Sequence, residues 1–343
     1  MRKQSRSGRT LLALLACVCS LLLGALAAHH ADAARELPAR LSAPHAALLV
    51  TALRSPRQRP SADPPQTSST SEPAPPSYRD GRVITGATSH RLILFTFDDG
   101  PDLKTTPRLL DELDAAGVHA VFFTVASRLM GHGVRQRAQA ELLREIERRG
   151  HLIGHHTVHH RQLPLLSNAE IEAEVNDGQR AIERVLGHRP YLLRPPGGAR
   201  SPRVDRLLAA RGYTEMLWNL GTGDFQVRSA DDVVRTFRRV LARRERENGE
   251  RGGIVLMHDP HAWSVEAFPR IVAELRSKNC QLLERGEELY DIVDDPRFFF
   301  EARGEDDGTA LAQPAEPTAR VLAARQARLR RETRARCSQV ASR

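Results

Sequence analysis

Cysteine is nearly absent from this chain, with four residues in 343, Cys17, Cys19, Cys280 and Cys337. So few cysteines exclude a disulfide-built scaffold, and without a CxxC pair a zinc finger is excluded too. Cys17 and Cys19 fall in an N-terminal apolar run, which leaves Cys280 and Cys337 for the body of the protein. An even pair suits an oxidising compartment, and pairing them would tie the C-terminal tail to the domain. A buried Cys280 with an exposed Cys337 fits the sequence equally well. The body also lacks net charge. Basic residues exceed acidic ones by nine overall, but residues 84–300 balance to zero. The excess sits at the ends: +4 over 1–28, +2 over 29–83 and +7 over 318–343, against −4 over 301–317. A folded domain that grips nucleic acid shows a basic face, usually with a recognisable motif. No helix-turn-helix, zinc-finger or RNP pattern is present, so nucleic acid is not expected as a partner.

The N-terminus has the layout of a targeting segment. Arg2, Lys3, Arg6 and Arg9 precede the uncharged run Leu11–Ala28, and small residues then offer A-x-A sites at 25–27 and 31–33. A signal peptide over 1–33 and an exported body are expected. An uncleaved anchor is the alternative, because 18 apolar residues can just span a bilayer. Lipoprotein processing at Cys17 is disfavoured by the short apolar stretch before it. Residues 34–80 carry no sustained apolar period, and their Pro/Ser/Thr-rich part reads as a disordered linker. Residues 301–343 turn acidic and then Ala/Arg-rich, a solvated charged tail. A basic helix over 321–336 within it would have affinity for anionic envelope polymers or lipid.

Between these ends, short apolar runs at 91–97, 119–125, 151–154, 190–194, 213–219, 253–257 and 280–283 alternate with helical patterns. The helical patterns are Thr106–Ala116, Ala138–Arg149, Asn168–Leu186, Pro202–Arg211, Ala230–Arg246 and Val265–Lys278. Seven βα-type units predict a parallel sheet, closed or nearly closed into a barrel. In such barrels function gathers at the C-terminal ends of the strands. Polar motifs do fall just after the apolar runs.

The first is TFDDGPD, where Asp98 and Asp99 end an apolar run and Gly100-Pro101 follow. Two adjacent carboxylates repel, so the pair makes sense if a cation holds one and an arginine or proton attends the other. A solvated turn is the plainer reading of the same string. GHHTVHH over 154–160 carries four histidines, and short His tracts bind transition metals. Spacing of four places His156 with His160 on one side of a helical turn, but His155 and His159 share that spacing. LRPPGG over 193–198 leaves Arg194 at a strand end, able to orient a carboxylate. WNLGTGDF leaves Asp224 and Phe225 after the fifth run, and IVLMHD places His258 after the sixth. A ligand set, a spare carboxylate, an arginine and a spare histidine on one rim form the inventory for metal-assisted hydrolysis.

TFDDGP, H-T-x-x-H, R-P-P-G-G, the Asp-aromatic pair and I-x-L-x-H, in this order, resemble the five motifs of the polysaccharide deacetylase family. That family is also called NodB-homology or carbohydrate esterase family 4, and the resemblance covers about residues 84–295. It implies a distorted (β/α)7 barrel that removes N-acetyl groups from GlcNAc- or MurNAc-containing polymers such as peptidoglycan or chitin. It also implies a divalent metal, zinc first, held by Asp99, His156 and His160, with Thr157 selecting that histidine pair. Asp98 takes the place of the family's base and His258 of its acid. Arg194 would hold Asp98, and Asp224 would orient His258. A backbone N–H near Gly197 would serve the oxyanion, and Leu256 and Phe225 an apolar acetyl pocket.

Two motifs depart from the pattern. Gly197 stands where the family often has an aromatic residue, and Gly221 where it has an Asp three residues before an Asp-Trp pair that here is Asp224-Phe225. These positions shape the groove, so the glycan is less defined than the reaction. The alternatives are an O-acetyl esterase acting on a polymer such as acetylated xylan, and a non-catalytic glycan-binding relative. A relative of that kind is expected to have lost Asp98 or His258, and both are present. A metal-sequestering surface protein would leave Arg194 and Asp224 without a role.

Overall fold

The computed structural model describes residues 83–300 and 316–341. The leader expected at 1–33, the linker at 34–80 and the acidic start of the tail at 301–315 lie outside the described residues.

The run LILFTFD forms the longest strand, β2 (Leu92–Asp98), and every residue in it is buried. Successive side chains go to opposite faces, and both faces meet apolar partners. Leu92 and Leu94 join Val121, Phe123, Leu192, Met216 and Ile254 in an inner layer. Ile93, Phe95 and Phe97 pack outward on helix side chains such as Phe268, whose ring meets that of Phe95 edge-on at 5.0 Å. Burial on both sides is why a parallel strand reads as a continuous apolar run.

The other strands are β1 (Val83–Ile84), β3 (Val121–Thr124), β4 (Leu152–His155), β5 (Leu192–Leu193), β6 (Thr214–Met216), β7 (Leu220–Gly221), β8 (Gly253–His258) and β9 (Asp291–Ile292). Helices α1 (Thr106–Ala116), α2 (Val134–Arg148), α3 (Asn168–Leu186), α4 (Pro202–Ala209), α5 (Ala230–Asn248) and α6 (Ala262–Glu284) lie between them. Their ends follow local chemistry. Ser167 caps α3 in a reciprocal capping box with Glu170, and Gly187 ends it in a left-handed conformation.

The strands pair in parallel in the order β1-β6-β5-β4-β3-β2-β8-β7, with β9 beside the start of β2. β1 and β7 are the two edges, so the barrel is curled but not closed by hydrogen bonds. The degree of curl has a direct measure. Arg194, just after β5, hydrogen-bonds Asp98 on β2, three strands away. In a flat sheet that separation is about 14 Å.

Residues 280–283, expected as the seventh strand, instead form the last turns of α6. Leu275, Asn279 and Leu282 continue its buried stripe at three- and four-residue spacing, which an apolar tetrapeptide alone does not reveal. The run at 213–219 divides into β6 and the residues before β7. Phe299 and Phe300 are buried in the inner layer, so the domain continues past the expected boundary at 295.

The tail, expected to be solvated, forms helix α7 (Ala319–Ala341) with one face docked. Cys337 is disulfide-bonded to Cys280 in α6, a sequence separation of 57. A cross-link of that span restricts the unfolded chain by about 4 kcal/mol in the chain-entropy account. Arg325 pairs with Asp291 at 2.6 Å, and the Gln326 amide bonds both the N–H and the C=O of Leu289. The docking is largely polar, which is why an apolar-stripe reading misses it. Among the described residues no helix is long and apolar enough to cross a membrane.

Candidate active site

The ladder between β2 and β8 aligns Asp98 with His258, and both residues end their strands on the same rim. Their side chains are then drawn apart. Arg194 Nη1 donates to Asp98 Oδ1 at 2.7 Å and to Thr96 Oγ1 at 2.8 Å. Arg194 Nε and Nη2 donate to the carbonyls of Met216 and Leu217, and the guanidinium lies 4.2 Å from the Phe123 ring centroid. Arg194 is fully buried, a state a charge tolerates only when paired and hydrogen-bonded as here. Burial pushes the Asp98 carboxyl above its ordinary range, and the charges of Arg194 and His258 pull against that rise. The result is a carboxylate more basic than one in water.

His258 turns toward the loop after β7. Its Nδ1–H donates to Asp224 Oδ1 at 2.8 Å, which leaves Nε2 facing the rim. Asp224 is fixed in turn by the His258 backbone N–H, the Ser264 hydroxyl at 2.6 Å and, through its own carbonyl, the Trp263 indole N–H at 2.7 Å. Burial alone would lower the pKa of His258. The hydrogen bond and charge of Asp224, with the more distant Asp98 and Asp99, outweigh it and push the imidazole up to about 9. Both groups therefore hold a proton more readily than they would in water.

Asp99, the next residue after β2, has φ 75°, a conformation a non-glycine residue adopts only when its surroundings impose it. Its Oδ1 is buried without a hydrogen-bond partner. His156 Nε2 and His160 Nε2 lie 3.6 and 3.4 Å from that oxygen. His156 Nδ1–H donates to the Arg194 carbonyl at 2.7 Å, which fixes the tautomer and leaves the Nε2 lone pair on the cluster. The three ligand atoms lie within 4.8 Å of one another. An orphaned buried carboxylate oxygen facing two imidazole nitrogens fits a divalent cation that accepts mixed N and O donors.

The histidine tract is a turn and not the helical turn its spacing suggests. Thr157 and His160 have φ of 64° and 57°, and the His160 N–H donates to Thr157 Oγ1 at 3.1 Å. This closes the turn and brings the His156 and His160 rings to 4.9 Å. His155 points the other way: its Nδ1 accepts from the Thr157 N–H at 2.8 Å and its Nε2–H donates to the Val175 carbonyl at 3.1 Å. His159 bonds Glu174 at 2.9 Å. In a metal titration followed by calorimetry, His159→Ala is therefore expected to keep stoichiometric cation binding. His156→Ala should weaken it by more than the roughly 10–100-fold that loss of a supporting hydrogen bond costs. Equal affinities in the two variants would contradict this ligand set.

Leu256 is buried two residues before His258 and faces inward. Phe225, expected beside it in an acetyl pocket, is 52% exposed on the rim, its ring 5.8 Å from that of His258. Gly197 adopts φ 63°, and a Cβ on Gly198 would lie 2.9 Å from the Trp218 ring, so both glycines are required by the loop. Glu174 escaped the sequence reading. Fully inside, it accepts from the N–H groups of Val158 and His159 and so clamps the metal turn. Its only sequence signal is an acid on the buried stripe of α3, between Ile171 and Gly178. Asp259 also escaped notice. It is buried against Gly100, takes the Thr106 hydroxyl, and burial pushes its carboxyl up to about 7.

Fold and site together define an α/β barrel whose rim carries a candidate metal-ligand triad, a buried Arg–Asp pair and an Asp–His pair. Residues 85–216 match the family described as polysaccharide deacetylase. The solved T48 deacetylase with substrate is 31% identical, covers 66% of this chain and 96% of its own, and superposes with a TM-score of 0.50. Peptidoglycan-N-acetylmuramic acid deacetylase PdaC of Bacillus subtilis is 31% identical over 195 residues, 57% of this chain. Chitin deacetylase 1 of Saccharomyces cerevisiae is 35% identical over 189 residues, 55% of this chain. This chain spans 38% and 59% of the lengths of those two relatives. The chain belongs to the polysaccharide deacetylase family.

Proposed function

We propose that the protein is an exported hydrolase that removes N-acetyl groups from a GlcNAc- or MurNAc-containing polysaccharide, peptidoglycan or chitin-like. The observation that carries this reading is that Asp98, paired with Arg194, and His258, paired with Asp224, stand in register on adjacent strands on the rim that carries the Asp99–His156–His160 cluster. Relatives named for peptidoglycan and chitin deacetylation support the reaction class, and the basic, apolar N-terminus supports export.

Asp99, His156 and His160 would hold the cation, zinc by donor chemistry, with coordination positions to spare. When bound, that cation supplies Lewis-acid polarisation of the amide carbonyl and positive charge for the developing oxyanion. The chain's own groups do the rest. Asp98, its Oδ1 pinned by Arg194, presents Oδ2 toward the cluster, 3.6 Å from His156 Nε2, and takes a proton from the attacking water. His258 Nε2–H, kept charged by Asp224, gives its proton to the departing amine. Leu256 forms an apolar floor beneath His258 that suits a methyl group.

An O-acetyl esterase would need His258 less, because an alkoxide leaves more readily than an amine. Acetate release from N-acetylchitooligosaccharide, peptidoglycan and acetylated xylan separates the readings. Higher kcat/KM on an N-acetylated polymer is expected, and activity confined to xylan would overturn the amide assignment.

A further inference from the structure

Three contacts lead away from His258 along the rim. The His261 ring lies 5.7 Å from that of His258 and stacks on Trp263 at 4.8 Å with an interplanar angle of 15°. The Arg228 guanidinium lies over the other partner of that stack, 4.8 Å from the Trp263 ring. Trp263 is not free to drift, because its indole N–H is bound to the carbonyl of Asp224, the residue that orients His258. The platform is thus built rigidly onto the acid side of the site. Phe225, half exposed on the same loop as Arg228, extends its apolar surface.

The charge on this platform is unspent. Arg128, Arg161 and Arg200, on neighbouring loops, face Asp102, Glu170, and Asp205 with Glu215 respectively. Arg228 donates to the carbonyl of Val227 at 3.0 Å, and among the described residues it has no ion-pair partner. A guanidinium stacked on an indole keeps its fork of donors directed outward in the plane, the geometry that meets a carboxylate bidentately. At the reacting centre the cationic side chains are already paired, Arg194 with Asp98 and His258 with Asp224, which leaves Arg228 to meet a glycan carboxylate. Steps of 5.7, 4.8 and 4.8 Å lead from His258 through His261 and Trp263 to Arg228, over aromatic faces suited to the apolar side of a pyranose.

We propose that Arg228, on the His261–Trp263 platform, is a subsite for a carboxylate-bearing sugar next to the residue being deacetylated, which makes an acidic glycan the preferred substrate over a neutral one. This deepens the deacetylase reading and rests on it, but it is tested by binding, which needs no turnover. The ligands are a tetrasaccharide of alternating GlcNAc and MurNAc with free lactyl carboxylates, the same tetrasaccharide amidated at those groups, and a third form whose lactyl groups carry a dipeptide ending in a free carboxylate. Dissociation constants are measured for the full chain and for Arg228→Gln and Arg228→Lys.

The full chain should bind the free lactyl form about tenfold more tightly than the amidated one, the scale of a single charge-assisted pair. The ratio should fall toward one in Arg228→Gln, return in part in Arg228→Lys, and shrink with added salt. If the dipeptide form keeps the advantage and the lactyl form lacks it, the recognised carboxylate is the stem peptide's, and the assignment of Arg228 still stands. Equal affinity of the full chain for the amidated form and for both charged forms overturns the proposal, as does a ratio unchanged by Arg228→Gln. Loss of acetate release with the binding ratio intact would instead fault the deacetylase reading alone.

Discussion

Asp98→Asn is expected to lower kcat on an N-acetylated glycan by about 10²-fold or more while the cation stays bound, the usual scale for loss of a general base. The amide is isosteric and can still accept from Arg194, whose other bonds to Thr96, Met216 and Leu217 persist. What disappears is the proton acceptor and the counter-charge of a fully buried guanidinium. Uncompensated buried charge is destabilising by about 3–5 kcal/mol, so the unfolding midpoint should fall as well. The diagnostic result is a loss of kcat that persists at temperatures where the variant is fully folded. Near-wild-type turnover with the cation bound would move the base role to another group.

His258→Ala should reduce amide hydrolysis by a comparable factor but spare activated esters, because an amine needs its proton to leave and a stabilised alkoxide does not. The pH dependence carries the same information. As the proposed acid His258 would work in its charged form, and the Asp224 pair holds that form up to about pH 9. Activity should therefore fall as pH rises through that value. Asp224→Asn can still accept the Nδ1–H bond but removes the charge that opposes burial, so the basic limb should move to lower pH. Equal losses on amide and activated ester for His258→Ala would assign this residue to binding or to charge alone.

Much of this site is legible in the sequence because the barrel forces it to be. Strands buried on both faces read as apolar runs, and the chemistry follows each run at the rim, as with Asp98 after LILFTF and His258 after GIVLM. The choice between two histidine pairs is a different matter. Spacing treats His155/His159 and His156/His160 alike, and the deciding feature is a turn closed by Thr157 and clamped by Glu174, sixteen residues from Val158 in another element. Tertiary supports of this kind, including Ser264 and Trp263 on Asp224, leave no local pattern. The seventh strand was misplaced because a four-residue apolar run is equally a helix turn, and the true β9 is only two residues long. Docking of α7 depended on Cys280 finding Cys337 and on polar contacts to Leu289 and Asp291, none of which has a period to read.

The central claim is that the Asp99–His156–His160 cluster and the Asp98/His258 pair act together to hydrolyse an N-acetyl amide. Its most direct test is acetate release by the full chain from N-acetylchitotetraose and from peptidoglycan, before chelation, after chelation, and after zinc is added back. The account predicts release that chelation abolishes and zinc restores, with no restoration in His156→Ala. Release that survives complete metal removal, or an absence of release from both glycans by the zinc-loaded chain, would contradict it.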